Sequence, residues 1–145
     1  MFGAALALVD TSRLLFGESL GASDGNFLRQ HSKSNEGEAQ LVLAVLHYLE
    51  RVHGVGEQEA VVICPYIAQV DLLRSRCREA QEAGCLGYRP EIASVDSFQG
   101  QEKNVVVFSA VRSNPEHAIG FLADERRGRP VAHVLADGDD VGRRL

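Results

Sequence analysis

The fold is decided by a segment that reads VDSFQGQEK, from Val95 to Lys103. A short apolar run, Ile92–Val95, leads into it, and a second run, Val105–Val111, leaves it. Short apolar runs bounded by turn residues predict buried strands. The polar residues between them predict a tight turn at a ligand-binding edge, because glycine lets backbone N–H groups approach a ligand while carboxylate and amide groups orient sugar or phosphate. The alternative is an ordinary polar β-turn whose glycine has positive φ.

Strands are predicted on both sides of this segment. They are expected at Ala4–Val9, Ala60–Cys64, Ile92–Val95 and Asn104–Val111, with a candidate fifth strand at Val131–Ala136. The stretch Gly17–Lys33 is rich in Gly, Ser, Asn and Asp and is predicted to be a loop.

Two helices are predicted between these strands. The first opens at Asn35, which forms a capping-box-like start with Glu38, and ends at Gly54 and Gly56. The second runs from Tyr66 to Ala83 and is followed by Gly84. Its buried side is predicted to contain Ile67, Val70, Leu73 and Cys77. This alternation predicts an α/β fold with a mainly parallel sheet, in which ligands bind at the carboxyl ends of the strands.

Composition indicates one ordinary globular domain. The chain has 145 residues and a formal net charge of -5, which excludes a global basic footprint for nucleic acid but not a local one. Lysine occurs only at Lys33 and Lys103, so the cations are mostly arginine. That preference reflects either compositional bias or phosphate recognition. The three cysteines form no C-x-x-C pair, which argues against zinc and favours a reducing compartment, and the amino-terminal sequence lacks the features of a signal peptide or membrane span.

Candidate site residues follow the predicted strands. Tyr66 is placed to stack on a base, with Gln69 one turn further along the helix; the alternative is a helix start with a partly buried tyrosine. The block Ser32–Asn35 either holds an anion at a helix start or simply caps the helix. Arg126, Arg127 and Arg129 are candidates to stabilise a transferring phosphoryl group, or they form a solvated basic surface.

The sequence contains no G-x-x-x-x-G-K-[ST] motif. Because that loop cradles the phosphates of a nucleotide, an ATPase site cannot be completed from these residues alone. The histidines and cysteines show no metal-ligand spacing, so no metal site is predicted.

The order of the motifs resembles the second RecA-like domain of superfamily 1 helicases. Within them it is most similar to the up-frameshift group and the immunoglobulin-mu-binding-protein-like helicases. The matching blocks, in order, are Val9–Thr11, Ser32–Ala39, Cys64–Leu73 (motif IV), Ser94–Lys103 (motif V), Val111–Asn114 and Gly120–Leu122. The resemblance covers about residues 4–127 of a single expected domain, 1–145, and leaves 128–145 as an atypical tail.

The resemblance implies a RecA-like three-layer α/β/α fold. It also implies ATP with Mg²⁺, both held mainly by a first RecA-like domain that this chain lacks. Gly100 and Glu102 would then face the nucleotide, Asp96 and Ser97 the nucleic-acid backbone, with Tyr66 and Gln69 as helpers. The implied partners are single-stranded DNA or RNA and the first domain, with no membrane, in the cytoplasm or nucleus. The chain is not expected to hydrolyse ATP alone.

The chain departs from this family after Arg127. Relatives continue with Asn-Val-Ala-[LV]-Thr-Arg-Ala-Arg, whereas this chain reads GRPVAHVLAD from Gly128 to Asp137. The Thr-Arg pair that carries the arginine finger is missing, so no catalytic residue is assigned beyond the candidates Arg126, Arg127 and Arg129. The alternative is a non-catalytic nucleic-acid-binding or protein-interaction module derived from a helicase domain.

Overall fold

The computed structural model describes residues 4–7, 9, 16–20, 32–111 and 134–137. The elements in chain order are β1 (Ala4–Ala7), β2 (Ser19–Leu20), β3 (Lys33–Ser34), α1 (Glu36–His53), β4 (Ala60–Cys64), α2 (Ile67–Glu82), β5 (Glu91–Ser94), α3 (Val95–Phe98), β6 (Val105–Phe108) and β7 (Val134–Asp137).

The main sheet has the strand order β1-β7-β6-β4-β5. The strands β6, β4 and β5 are parallel neighbours, with Val62 in register with both Ile92 and Val107. β7 runs antiparallel to β6, and β1 runs antiparallel to β7, so β1 shares the direction of the three parallel strands. The predicted α/β class is therefore confirmed, and the arrangement is consistent with a RecA-like domain.

The two long helices pack on one face of the sheet. Alternate residues of β4 face them, and the main apolar core includes Val62 and Cys64 of β4, Leu46 of α1 and Leu73 of α2. The intervening residues Val61 and Ile63 face the opposite side, where they pack with Ala93, Phe98, Val106 and Phe108. Phe98 belongs to α3, so helices contact both faces of the sheet. Full burial of each large aliphatic side chain contributes about 1.5–3 kcal/mol.

The predicted limits of α1 are confirmed. Asn35 is its N-cap, and the Asn35 side chain accepts a hydrogen bond from the Glu38 N–H at 3.0 Å. At the other end Gly54 adopts φ 67°, a left-handed conformation that glycine reaches at low cost, and its N–H donates to the Glu50 carbonyl.

The prediction for α2 is right in its extent and wrong in one residue of its buried face. Val70, Leu73 and Cys77 are buried as expected, and Gly84 follows the helix with φ 74°. Ile67, however, is 41% exposed, whereas Gln69 has no exposed surface. Ile67 lies in the first turn, beyond the last residue of β4, while the amide of Gln69 can be buried because its hydrogen bonds are satisfied.

The predicted loop Gly17–Lys33 is wrong at its two ends. Ser19–Leu20 pairs antiparallel with Lys33–Ser34, and the Lys33 Nζ lies 2.7 Å from the Glu18 Oε1. Strands of two residues are too short to produce an alternating pattern, so the sequence gives no signal for them. β7 confirms the candidate fifth strand with shifted limits.

Candidate functional site

The Val95–Lys103 segment starts with one helical turn, α3, instead of the predicted tight turn. Ser94 and Ser97 cap this turn reciprocally. The Ser97 N–H donates to the Ser94 Oγ at 3.2 Å, and the Ser94 N–H donates to the Ser97 Oγ at 2.9 Å. The prediction of a simple turn is wrong because this capping box stabilises a helical conformation. It also fixes the exposed Ser97 hydroxyl at the carboxyl end of β5.

Gly100 follows this turn in a left-handed conformation, with φ 82°. A β-carbon added there would meet no atom within 4 Å, so the position demands glycine for its backbone angle and not for space. The Gln101 N–H donates to the Phe98 carbonyl at 3.1 Å, and the Gln101 amide donates to the Ser97 carbonyl at 3.2 Å. These bonds fix the backbone on both sides of Gly100, which is exposed. Glu102, two residues further on, is also exposed.

An open cleft of about 550 Å³, here called the carboxyl-edge cleft, lies beside this segment. Its described lining is Ile63, Val95, Asp96, Phe98, Gln99, Gly100, Gln101 and Phe108. The cleft therefore combines apolar surface with carboxamide and backbone groups and the Asp96 carboxylate. Among these residues there is no lysine or arginine, so the counter-charge for an anionic ligand would have to come from outside this lining.

Tyr66 and Ser32 have different roles at the start of α2. Tyr66 is the N-cap residue, is half-buried, and makes no side-chain capping bond. The capping role belongs to Ser32, whose Oγ accepts a hydrogen bond from the Ala68 N–H at 2.9 Å. Ser32 and Asn35 thus cap the two long helices, which favours the capping interpretation of the Ser32–Asn35 block.

Gln69 lies inside the protein, away from any surface that a nucleic acid can reach in this conformation. Its Oε1 accepts from the Asn35 N–H at 2.8 Å, and its Nε2 donates to the Asn35 carbonyl and to the Ser109 Oγ, both at 3.2 Å. Every polar atom of this amide is engaged, and the side chain is fully buried. This placement argues against the predicted direct contact and assigns Gln69 the task of joining α1, α2 and the end of β6.

Glu38 completes the same buried network. Its Oε1 accepts from the Ser109 hydroxyl at 2.8 Å, and its Oε2 accepts from the Val111 N–H at 2.9 Å. The Val111 carbonyl accepts from the Asn35 side chain at 3.3 Å. In a full capping box Glu38 would return to the Asn35 N–H, but Gln69 takes that donor and frees the carboxylate for Val111.

Val111 is held in an unfavourable backbone conformation. Its φ is 70°, which is rare for a β-branched residue, and its side chain is fully buried. Such strain costs about 1–3 kcal/mol and persists only where surrounding contacts enforce it. Asn35 and Glu38 supply those contacts. The sequence indicated Glu38 as a capping residue but did not predict its bonds to Ser109 and Val111, because these pairings span more than seventy residues of chain.

The buried thiols are poor candidates for nucleophilic chemistry. Burial raises the pKa of Cys77 to about 11 and raises that of Cys64 well above its ordinary value. Both therefore remain protonated near neutral pH. Within the described ranges, no cluster of three His, Cys, Asp or Glu side chains is arranged to hold a metal, and no helix is long and apolar enough to cross a membrane.

Several predicted site residues lie outside the described residues. They are Arg126, Arg127 and Arg129, together with the Gly120–Leu122 block and the last two residues of the Val9–Thr11 block. The structure brings Asp96 and Gly100 to the carboxyl-edge cleft, leaves Ser97 and Glu102 exposed beside it, and encloses Gln69 in the network at the start of the helices.

Comparison with known proteins gives one family match and several relatives. Residues 6–129 match the family described as an AAA domain. The chain is 40% identical over 115 residues to "DNA polymerase alpha-associated DNA helicase A" of Schizosaccharomyces pombe, which covers 76% of this chain and 16% of that protein. It is 44% identical over 97 residues to "DNA-binding protein SMUBP-2" of Rattus norvegicus, covering 66% of this chain and 9% of that protein.

A third relative matches a similar share of the chain. The chain is 37% identical over 111 residues to the "Regulator of nonsense transcripts 1 homolog" of Arabidopsis thaliana, which covers 76% of this chain and 8% of that protein. The first of these three relatives is named as a DNA helicase, in agreement with the helicase family that the motif order resembles. The chain spans less than one fifth of the length of each.

Proposed function

Because the chain belongs to the AAA domain family, we propose that it is the second motor domain of an ATP-dependent helicase acting on DNA or RNA. It works with a first RecA-like domain that carries the P-loop. Residues 1–145 form one domain, in which about residues 4–127 bear the motifs and 128–145 form a tail of atypical sequence that includes β7. The chain alone does not hydrolyse ATP, and its compartment is the cytoplasm or nucleus.

The observation that carries this proposal is the conformation of the Asp96–Glu102 segment. Gly100 has a left-handed backbone beside an open cleft at the carboxyl end of the parallel strands, where α/β proteins bind their ligands. A backbone N–H at such a position approaches a phosphate closely because no β-carbon intervenes. The absence of a cation from the described lining supports a site completed by a second domain.

The nucleotide roles follow from this placement. When ATP is bound with Mg²⁺, its hydrolysis supplies the free energy for the motor. In the proposed complex the Gly100 N–H donates toward the terminal phosphate, and the exposed Glu102 carboxylate accepts from a ribose hydroxyl. The first domain supplies the P-loop and holds most of the Mg²⁺ coordination. Arg126, Arg127 and Arg129 remain the candidates for neutralising the transferring phosphoryl group.

The nucleic-acid roles fall on the same sheet edge. Asp96 and the capped Ser97 hydroxyl face the sugar-phosphate backbone of a single strand, and the half-buried Tyr66 offers a ring face to a base. Gln69 does not contact the strand itself. It acts as a positioning residue, because its amide holds the starts of α1 and α2 together.

Fusion to the P-loop domain of a related helicase tests the proposal. The fusion is expected to hydrolyse ATP in a strand-stimulated manner, and Glu102→Ala is expected to lower kcat/KM for ATP by about tenfold, the effect of losing about 1.4 kcal/mol of binding free energy. Glu57→Ala, at an exposed loop carboxylate, is the matched control and should leave turnover unchanged. A correctly folded fusion without turnover contradicts the motor assignment.

A second candidate function is a non-catalytic binding module. The departure at Gly128–Asp137, which removes the Thr-Arg pair of the resembled family, favours it. In that case the fusion folds and binds a single strand through the Tyr66 and Ser97 surface, but added ATP is not consumed at any strand concentration.

A further inference from the structure

A second concave surface lies at the opposite end of β5. This cleft of about 540 Å³, here called the arginine cleft, is lined by three arginines: Arg74, Arg78 and Arg89. Arg89 precedes β5, whereas Asp96 follows it, so the arginine cleft and the carboxyl-edge cleft occupy opposite ends of one strand. Nothing in the proposed motor site uses these three guanidinium groups.

The three guanidinium groups converge because of helix and strand geometry. Arg74 and Arg78 are four residues apart on α2, so they lie on one face and about 6 Å apart along the helix axis. Arg89 comes from the segment that enters β5. β5 is the last strand of the described sheet and pairs with β4, so α2 and this open edge form the two walls of the cleft.

The described lining of the cleft carries a net positive charge. Arg74 donates one N–H to the Ile92 carbonyl at 2.9 Å, which covers part of the sheet edge. Within the described ranges Arg78 and Arg89 form no ion pair, and both are exposed. Two acidic residues, Asp71 and Glu91, also line the cleft, so three guanidinium groups stand against two carboxylates. The Glu91 carboxylate lies 3.0 Å from the Lys103 Nζ. An acidic chain thus carries a local arginine surface with donors available to an anion.

We infer that the arginine cleft binds the phosphate backbone of a single-stranded nucleic acid, as a second contact remote from the motor site. Guanidinium forks match phosphate oxygens in a bidentate geometry. The one-turn separation of Arg74 and Arg78 suits successive phosphates of an extended strand. No aromatic side chain is among the described lining, so the cleft reads phosphate and not base, and binding is independent of sequence. The choice of ligand rests on the proposed function.

Charge reversal in the 145-residue chain tests this inference. Binding of a fluorescent single-stranded oligonucleotide is measured by anisotropy across a salt series. The double variant Arg78→Glu/Arg89→Glu is expected to weaken binding about tenfold at low salt, and to lower the slope of log K against log salt by about 1.4, since each lost phosphate contact removes about 0.7 on a single strand. Arg78→Lys/Arg89→Lys keeps the charge and should restore most of the slope.

The control is the triple variant Arg51→Glu/Gln58→Glu/Asn104→Asp, at exposed positions outside the arginine cleft. It changes net charge equally and is expected to leave the slope close to wild type. Circular dichroism confirms that each variant is folded; Arg78→Gln/Arg89→Gln replaces the double reversal if that variant is not. Equal loss in the control, or no measurable binding by wild type, overturns the inference.

Two further outcomes separate this inference from the proposed function. If poly-glutamate of equal charge competes as well as the oligonucleotide, the cleft is a site for acidic protein segments and the inference is wrong. If the cleft variants bind normally while Ser97→Glu abolishes binding, the inference fails and the motor proposal stands. If the cleft variants lose binding while the P-loop fusion shows no turnover, the inference stands and the motor proposal fails.

Discussion

Two polar regions at the carboxyl edge of the sheet behave in opposite ways. The network of Asn35, Glu38, Gln69 and Ser109 is enclosed, and its groups bond to one another across long stretches of chain. The Asp96–Glu102 segment is mostly exposed, and the hydrogen bonds of Ser97 and Gln101 in it are local. Both have the polar composition expected of a ligand site, so composition at a strand end does not distinguish a structural contact from a binding surface. Burial and hydrogen-bond saturation do.

The largest effect is expected where the enclosed network is broken. Gln69→Ala leaves the Asn35 N–H without its partner and opens a cavity, whereas the Asn35 carbonyl still accepts from the Ala39 N–H. One unsatisfied buried group costs about 1–3 kcal/mol and the cavity adds to that cost, so the free energy of unfolding should fall by about 3 kcal/mol. Urea denaturation measures it, with Gln40→Ala on the exposed side of α1 as the control. If the free energy of unfolding falls by the same small amount in both variants, the network does not stabilise the fold.

The contrast also explains how much of this molecule the sequence predicts. The order of strands and helices, the Asn35 cap and the Gly54 end were predictable because each depends on neighbours a few residues away. The burial of Gln69 depends on partners 34 and 40 residues distant, and the positive φ of Val111 depends on Glu38, 73 residues earlier. Periodicity cannot predict such pairings, because it describes one element at a time.

The α3 turn shows a different kind of failure. Its capping box, Ser94 with Ser97, is a local signal that the sequence does contain. Serine at the third helical position is less diagnostic than the usual Glu or Gln, and the following glycine favoured a turn. The candidate site was therefore predicted in position but not in conformation, and the exposed Asp96 and Ser97 project from a helical turn.

A smaller effect on stability, with a larger one on function, is expected at Gly100. Gly100→Ala places a β-carbon at φ 82° in open space, so the cost comes from backbone strain, about 1 kcal/mol. Gly54→Ala is the matched control, because Gly54 also has positive φ and open space, at the end of α1. Urea denaturation should show similar losses for both. In the P-loop fusion, only Gly100→Ala should lower ATP turnover; equal turnover contradicts the role of Gly100.

The smallest effect is expected at the exposed border of the enclosed network. Glu36, next to Asn35, accepts hydrogen bonds from Arg76 at 2.8 and 3.1 Å, and both side chains are partly exposed. The hydrogen bond from Arg76 is the main cause that holds the pKa of Glu36 below 4.5, against a smaller opposing effect of burial. A carboxyl whose pKa is lower in the folded state stabilises the fold above its unfolded pKa, and this stabilisation is lost as pH falls through the folded value.

Glu36→Gln removes the negative charge and keeps nearly the same side-chain shape. Near pH 7 it should lower the free energy of unfolding by a small fraction of the Gln69→Ala loss, because solvent screens an exposed ion pair. As pH falls through the lowered pKa of Glu36 the wild-type carboxyl becomes protonated, so the difference between the two proteins should shrink toward zero. Urea denaturation at neutral pH and across a series of acidic pH values measures this change. A loss that is the same at all of these pH values would assign the effect to helix-end geometry instead of charge, and the border would then resemble the enclosed network more than the exposed segment.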